Sequence, residues 1–374
     1  MLSALLPLIA VFTLVLVLPP LGALVAGQPL GQFLHLPLET RGWDALPPDP
    51  TLTWVALGLT AALVALTLWL TRAQGPAVNP QGPTPRAWPT WTWVGPSLLI
   101  LALGVGPDGG GTSLGHLGWP IALLGLTLIL SADTQRRGGT SLLTQNRAYL
   151  AALCGAGALL GWAWYWINLY LQLWHYPQAP APAVFSVLTT LAYAALLPGL
   201  LALRQWLGTL PGLRDWGRRA EPRNLDLGPG VAWPLIALGS LGLLGAGVWP
   251  DWIYPLTWVA PLSLALGVQR MSGTPGPFAG VERGDWGRPL LTALAALILT
   301  LAAQAWNQWS GPLWVWEIPL IGGPKVLGLP APGYLGGVVL GLLGLWVADQ
   351  VARPWRGRSQ SRFPDFPVRI MINP

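Results

Sequence analysis

Long apolar runs alternate with short polar segments rich in proline and glycine along the whole chain. The runs are about 18–27 residues long, and about 20 helical residues are enough to cross the ~30 Å hydrocarbon core of a bilayer. Helices pair all their backbone groups internally, as hydrocarbon requires. The pattern therefore predicts ten membrane spans, at residues 3–26, 51–72, 90–107, 115–132, 147–173, 182–204, 231–249, 253–270, 288–309 and 331–352.

The basic residues alternate with these runs. Of the 20 arginines and lysines, 18 fall in segments on one side of the predicted bundle, and only Arg41 and Lys325 fall on the other. Cytoplasmic loops of membrane proteins carry such an excess of Arg and Lys. The split supports the count of ten spans and predicts that both termini lie in the cytoplasm.

Composition agrees with a membrane protein. The chain is 53% hydrophobic and only 9% charged, with a mean hydropathy of +0.51, whereas soluble domains carry about 25% charged residues. The net charge of +6 is spread over the predicted cytoplasmic loops, so we expect contact with anionic headgroups and no nucleic-acid partner. Many of the 24 tryptophans lie at span ends, which is the position of interfacial aromatic belts.

A four-span unit is repeated in the chain. Trp119-Pro120 and Tyr254-Pro255 open corresponding spans, and Asn168 and Asn307 lie near the ends of a later corresponding pair. Since four is an even number, both copies share one orientation. The predicted fold is an all-α transmembrane bundle with two parallel four-helix repeats after an N-terminal two-helix unit. Its parts are the N-terminal unit and linker (1–88), the first repeat (89–204), a cytoplasmic linker (205–230), the second repeat (231–352) and a basic cytoplasmic tail (353–374).

Aromatic and amide side chains concentrate at the predicted outer ends of the fifth and ninth spans. Amides in hydrocarbon are costly unless paired, so Asn168 and Asn307 are expected to face the protein interior. One hypothesis is a ligand pocket between the repeats, whose flat aromatic faces suit a lipid, a polyprenyl chain or a pigment. The commoner alternative is that the tryptophans are interfacial anchors and the asparagines bond across helices. The candidate lining residues are Trp164, Asn168, Trp174, His175, Gln304, Trp306, Asn307, Trp309, Trp314 and Glu317.

The segment 310–333 is apolar and is broken by proline and glycine. It is too irregular for a helix, and an apolar loop at this depth must dip into the interface or pack on protein. We expect either a lid over the pocket or a packed interfacial loop.

Few residues carry recognisable catalytic chemistry. The sequence has no P-loop and no H-E-x-x-H motif. His35, His116 and His175 lack the helical spacing of metal ligands, so we predict no metal site. These features favour a protein that binds an apolar or amphipathic ligand, or a membrane partner. A membrane-embedded enzyme acting on an isoprenoid or lipid, and a transporter of a neutral or lipidic substrate, remain alternatives.

The second half of the chain carries a W-N-x-W stretch at Trp306–Trp309 and the segment Gly333-Tyr-Leu-Gly336 after a proline. With these motifs the chain resembles a family of bacterial polytopic membrane proteins. The resemblance implies a multi-pass protein of the bacterial inner membrane and no particular reaction. Where the family often carries a Glu just before the W-N pair, this chain has Ala303 and Gln304, so no acid catalysis is carried over.

Overall fold

A computed structural model describes residues 2–72, 85–106, 115–214, 216–217, 228–311 and 313–355. Parts of the predicted cytoplasmic linkers, and the predicted basic tail from residue 356 onward, lie outside the described residues.

Within these ranges the chain is helical, with four very short strands. The α-helices are α1 (Leu2–Val25), α2 (Pro50–Leu70), α3 (Val94–Val105), α4 (Gly115–Gly138), α5 (Leu142–Gln145), α6 (Arg147–Leu171), α7 (Pro182–Leu207), α8 (Ala232–Ala246), α9 (Pro250–Met271), α10 (Gly287–Trp309) and α11 (Tyr334–Ala352). The strands are β1 (Trp174–His175), β2 (Val315–Trp316), β3 (Lys325–Val326) and β4 (Leu329–Pro330), paired antiparallel as β1–β2 and β3–β4.

Each of the ten predicted spans coincides with one helix. Among the described residues, seven helices are long and apolar enough to cross a membrane, namely α1, α2, α4, α6, α7, α10 and α11. Helices α3 and α8 are apolar but shorter, with 12 and 15 residues, and α9 has 22 residues with Asp251 in its first turn and Arg270 in its last. The prediction of an all-helical, membrane-type bundle is confirmed. The number of spans and the repeat stay predictions.

Proline in α1 creates a contact between helices. Pro20 lies inside the helix and has no N–H, so the carbonyl of Leu16, one turn earlier, loses its usual donor. The indole N–H of Trp166 on α6 donates to this carbonyl at 3.1 Å. A backbone group that would be costly to leave unpaired in hydrocarbon thereby fixes α1 against α6.

Helices α6, α7, α10 and α11 form the centre of the bundle, in which α6 contacts α7 and α11, and α10 contacts the same two helices. The pair α3–α4 packs on α7, and the pair α8–α9 packs on α11. Helix α1 covers α8 and α9, whereas α2 is mostly exposed. We call α3–α7 with β1 the first half, and α8–α11 with β2 the second half.

Loops at one end of the bundle interlock, and we call this end, made of residues 26–49, 172–181 and 310–333, the cap end. Tyr176 N–H donates to the carbonyl of Leu38 at 2.8 Å, and Asp49 N–H donates to that of Leu320 at 2.9 Å. Arg41 is buried there and forms an ion pair with Asp251. Arg41 is one of the two basic residues on the minority side of the charge pattern, and its ion pair with Asp251 is the structural reason for its place there.

The loops at the opposite end, which hold most of the arginines, also contact one another. Arg86 N–H donates to the carbonyl of Arg136 at 2.8 Å, and Trp286 N–H donates to that of Gly217 at 2.7 Å. We call this the arginine end.

Candidate functional site

A cavity of about 300 Å³ lies in the half of the bundle nearer the cap end. One face each of α4, α6, α7, α10 and α11 converges on it together with Trp258 of α9, and residues of the 310–333 segment line it at the cap end. The cavity therefore lies between the two halves. Its volume is at the lower limit of small-molecule sites, which span about 300–1,000 Å³.

Six indole rings form much of the cavity wall. They belong to Trp119, Trp164, Trp174, Trp258, Trp314 and Trp316. The ring centroids of Trp164 and Trp258 lie 5.0 Å apart, and those of Trp174 and Trp316 lie 5.3 Å apart. Aromatic pairs at these separations stabilise each other beyond their burial alone. The rings thus form a fixed wall of flat apolar surfaces.

A two-stranded ribbon positions the rings nearest the cap end. In this ribbon, β1 pairs with β2 so that Trp174 opposes Trp316 and His175 opposes Val315. Successive side chains of a strand point to opposite faces. Trp174 and Trp316 line the cavity, whereas His175 and Val315, the neighbouring residues on the two strands, do not.

Two buried asparagines hold the chain reversals that lead into this ribbon. The side-chain oxygen of Asn168 accepts from the N–H groups of Leu173 and Trp174 at 2.9 and 3.3 Å, and its nitrogen donates to the carbonyl of Trp174 at 2.8 Å.

Asn307 makes the matching set of bonds in the second half. Its oxygen accepts from the N–H groups of Leu313 and Trp314 at 2.8 and 3.1 Å, and its nitrogen donates to the carbonyl of Trp314 at 2.8 Å. Both asparagines therefore bond to the reversal after their own helix and not across helices.

The polar groups of the cavity wall are few. Gln304 is buried, and its side-chain oxygen accepts from the indole N–H of Trp316 at 3.3 Å. His116 Nε2 lies 3.2 Å from the carbonyl oxygen of Gln178, so Nε2 carries the proton. Burial raises the pKa of Tyr176, which keeps that hydroxyl neutral. Among the described lining residues, none is Asp, Glu, Lys or Arg.

The structure brings four of the ten predicted site residues to the cavity: Trp164, Trp174, Gln304 and Trp314. Asn168, Asn307 and His175 are buried beside it without lining it. The ligand-binding role of all these residues stays a prediction.

The other three predicted residues lie further away. Trp306 packs on Ala102 and Ala122, between α3 and α4. Trp309 stacks edge-on against Trp306 and is 47% exposed. Glu317 is half-buried; its N–H donates to the carbonyl of Leu173, and its own carbonyl accepts from Arg41.

Sequence reasoning missed the contribution of α7 to the cavity. Leu188, Ala192, Leu196 and Leu200 line it at intervals of four residues, the spacing of one helix face. That periodicity is present in the sequence, but it is indistinguishable there from an ordinary packed face.

Sequence reasoning also passed over a G-x-S-x-G match at residues 111–115. In hydrolases this pattern sits on a sharp turn between a strand and a helix. Here the preceding described element is the helix α3, and Gly115 begins α4; residues 107–114 are outside the described ranges. The described residues therefore do not show the strand, turn and helix that would support the serine of this match as a nucleophile.

A scan against protein-family models and searches of curated proteins and of solved structures find no match to this chain. In the described residues no group of three His, Cys, Asp or Glu side chains could hold a metal ion.

Proposed function

We propose that the chain is a ten-span protein of the bacterial inner membrane, with both termini in the cytoplasm and the cap end outside. Support comes from the coincidence of the ten apolar segments with helices, and from the contacts among the arginine-rich loops. The buried Arg41–Asp251 pair accounts for one of the two basic residues on the minority side.

We further propose that the two halves are parallel four-helix repeats around a two-fold axis. Asn168 and Asn307 make the same three hydrogen bonds. His175 pairs with Val315, which lies 140 residues later. A two-fold axis through an antiparallel ribbon brings one residue opposite its own equivalent, and for a repeat of 140 residues that residue is His175.

Matching contacts at the arginine end give independent support for the repeat. The indole of Trp206 on α7 donates to Asp133 on α4 at 2.9 Å. The indole of Trp346 on α11, again 140 residues later, donates to Gln269 on α9 at 3.1 Å. In each half the last helix is thus joined to the second helix by a tryptophan at a corresponding position.

The function that the geometry supports best is binding of an apolar or amphipathic ligand between the two halves. The observation that carries this proposal is the cavity itself, lined by six indoles and aliphatic side chains, with no charged residue among its described lining. Such a wall favours a lipid tail, a polyprenyl chain or a pigment over a charged solute. It also lacks the paired carboxylates typical of acid–base catalysis, which favours binding over an enzyme.

Filling the cavity tests this proposal. Ala192 lines it from α7, whereas the neighbouring Leu191 is exposed on the outside of the helix. We expect Ala192→Phe to reduce binding of a fluorescent polyene by at least about tenfold in lipid nanodiscs, because the added ring occupies the ligand volume. Leu191→Phe is the matched control and should bind as the wild type does. Equal binding by all three proteins would place the ligand elsewhere and contradict the proposal.

A further inference from the structure

The side-chain nitrogen of Gln304 is a hydrogen-bond donor without a partner in the cavity wall. Gln304 is 3% exposed, and its only hydrogen bond among the described residues is the one that its oxygen accepts from Trp316. That bond fixes the orientation of the amide, since a reversed amide would bring two donors together. Two N–H donors of this amide are therefore unpaired next to an apolar cavity, and because the nitrogen is not fully buried, a water molecule or a ligand oxygen can pair with them.

The surrounding groups extend this excess of donors. The indole nitrogens of Trp119, Trp164, Trp258 and Trp314 are donors only, and none of them has a hydrogen-bond partner in the part of the chain that the structure describes. Acceptors also line the cavity, because the hydroxyls of Tyr176, Thr189, Tyr193 and Thr300 can both accept and donate, but the indole nitrogens and the Gln304 nitrogen can only donate. A complementary ligand would therefore offer at least one hydrogen-bond acceptor to these donors.

The charge and the shape of the cavity wall narrow the class of ligand further. The absence of charged side chains from the described lining disfavours an ionised headgroup, because no countercharge would replace its hydration. The flat indole faces favour a planar group. A neutral, planar, carbonyl-bearing head on an apolar tail has all of these properties.

We propose that the cavity binds a prenylated or alkylated quinone, or a chemically similar ketone, with one carbonyl oxygen accepting a hydrogen bond from the Gln304 amide. This inference rests on the proposed function, because it names the class of ligand for the same cavity. In this proposal Gln304 makes the cavity prefer a ligand that carries an oxygen acceptor over a plain hydrocarbon.

The test compares two probes of similar size, decyl-1,4-benzoquinone and decylbenzene, each titrated by its mole fraction in the nanodisc bilayer. Each displaces a fluorescent polyene from the wild-type protein. We expect the quinone to displace it at about fivefold lower mole fraction, since one net hydrogen bond contributes ~1 kcal/mol and tenfold in affinity corresponds to ~1.4 kcal/mol. This comparison needs no variant and so does not depend on the folding of one.

Two variants then locate the donor. Gln304→Leu should remove the preference for the quinone while leaving displacement by decylbenzene within about twofold. Gln308→Leu changes an exposed glutamine one turn further along α10 and should keep the full preference. A preference that survives Gln304→Leu would assign the carbonyl to another donor and overturn the inference.

The outcomes separate the two proposals. Equal displacement by both probes in the wild type would overturn the quinone inference and leave the apolar binding site in place. Failure of the polyene and of both probes to bind would overturn the inference and the proposed function together.

Discussion

Asn168 is the side chain whose loss should most directly disturb the cavity wall. Asn168→Ala removes three hydrogen bonds and leaves the N–H groups of Leu173 and Trp174, together with the Trp174 carbonyl, without their partner. A buried polar group left unpaired costs about 1–3 kcal/mol, and relaxation of the loop recovers part of that sum. We expect a loss of about 3 kcal/mol in the free energy of unfolding, against about 1 kcal/mol for a typical substitution.

The assay is unfolding by SDS in mixed micelles, followed by tryptophan fluorescence. Because Asn307 makes the matching bonds to Leu313 and Trp314, Asn307→Ala should cost the same within about 1 kcal/mol. Gln308→Ala, next to Asn307 but exposed, is the control and should change stability by less than about 0.5 kcal/mol. A loss below about 0.5 kcal/mol for either asparagine would refute the claim that these side chains hold the chain reversals.

Two further predictions concern the cap end and the orientation of the chain. Arg41→Met should lower the free energy of unfolding by about 3 kcal/mol, because it leaves Asp251 partly buried without its cation. Adding Asp251→Leu should recover most of that loss in the same unfolding assay. A double variant that stays as unstable as Arg41→Met would contradict the pairing. In a Cys154→Ser background, a cysteine at Pro275 should react with a membrane-impermeant maleimide only after lysis, whereas one at Leu34 should react on intact cells. Labelling of both from the same side would overturn the ten-span topology.

The helices could be predicted from the sequence because each depends on a local property, the length of an apolar run. The short helix α5 (Leu142–Gln145) escaped prediction because it has only four residues. Asn168 and Asn307 could be predicted to be buried, because an amide needs a partner in hydrocarbon, but their partners could not. Those partners depend on the course of the backbone after each helix, which includes the left-handed conformation of Gln172.

Only part of the cavity lining could be predicted from the sequence. Tryptophans concentrate near span ends whether they anchor the protein or line a pocket, so Trp164 and Trp309 look alike in the sequence. Trp164 lines the cavity, whereas Trp309 is 47% exposed. What separates them is the packing of one half against the other, a property of residues far apart in the chain.

The β1–β2 ribbon also limits how the molecule can move. Backbone hydrogen bonds join the two halves at the cap end, in the ribbon itself and between Glu317 and Leu173. At the other end the Tyr149 hydroxyl donates to the carbonyl of Ala348 at 3.2 Å, and Trp286 N–H donates to the carbonyl of Gly217 in the loop after α7. Any separation of the two halves at the cap end would therefore have to break the β1–β2 pairing.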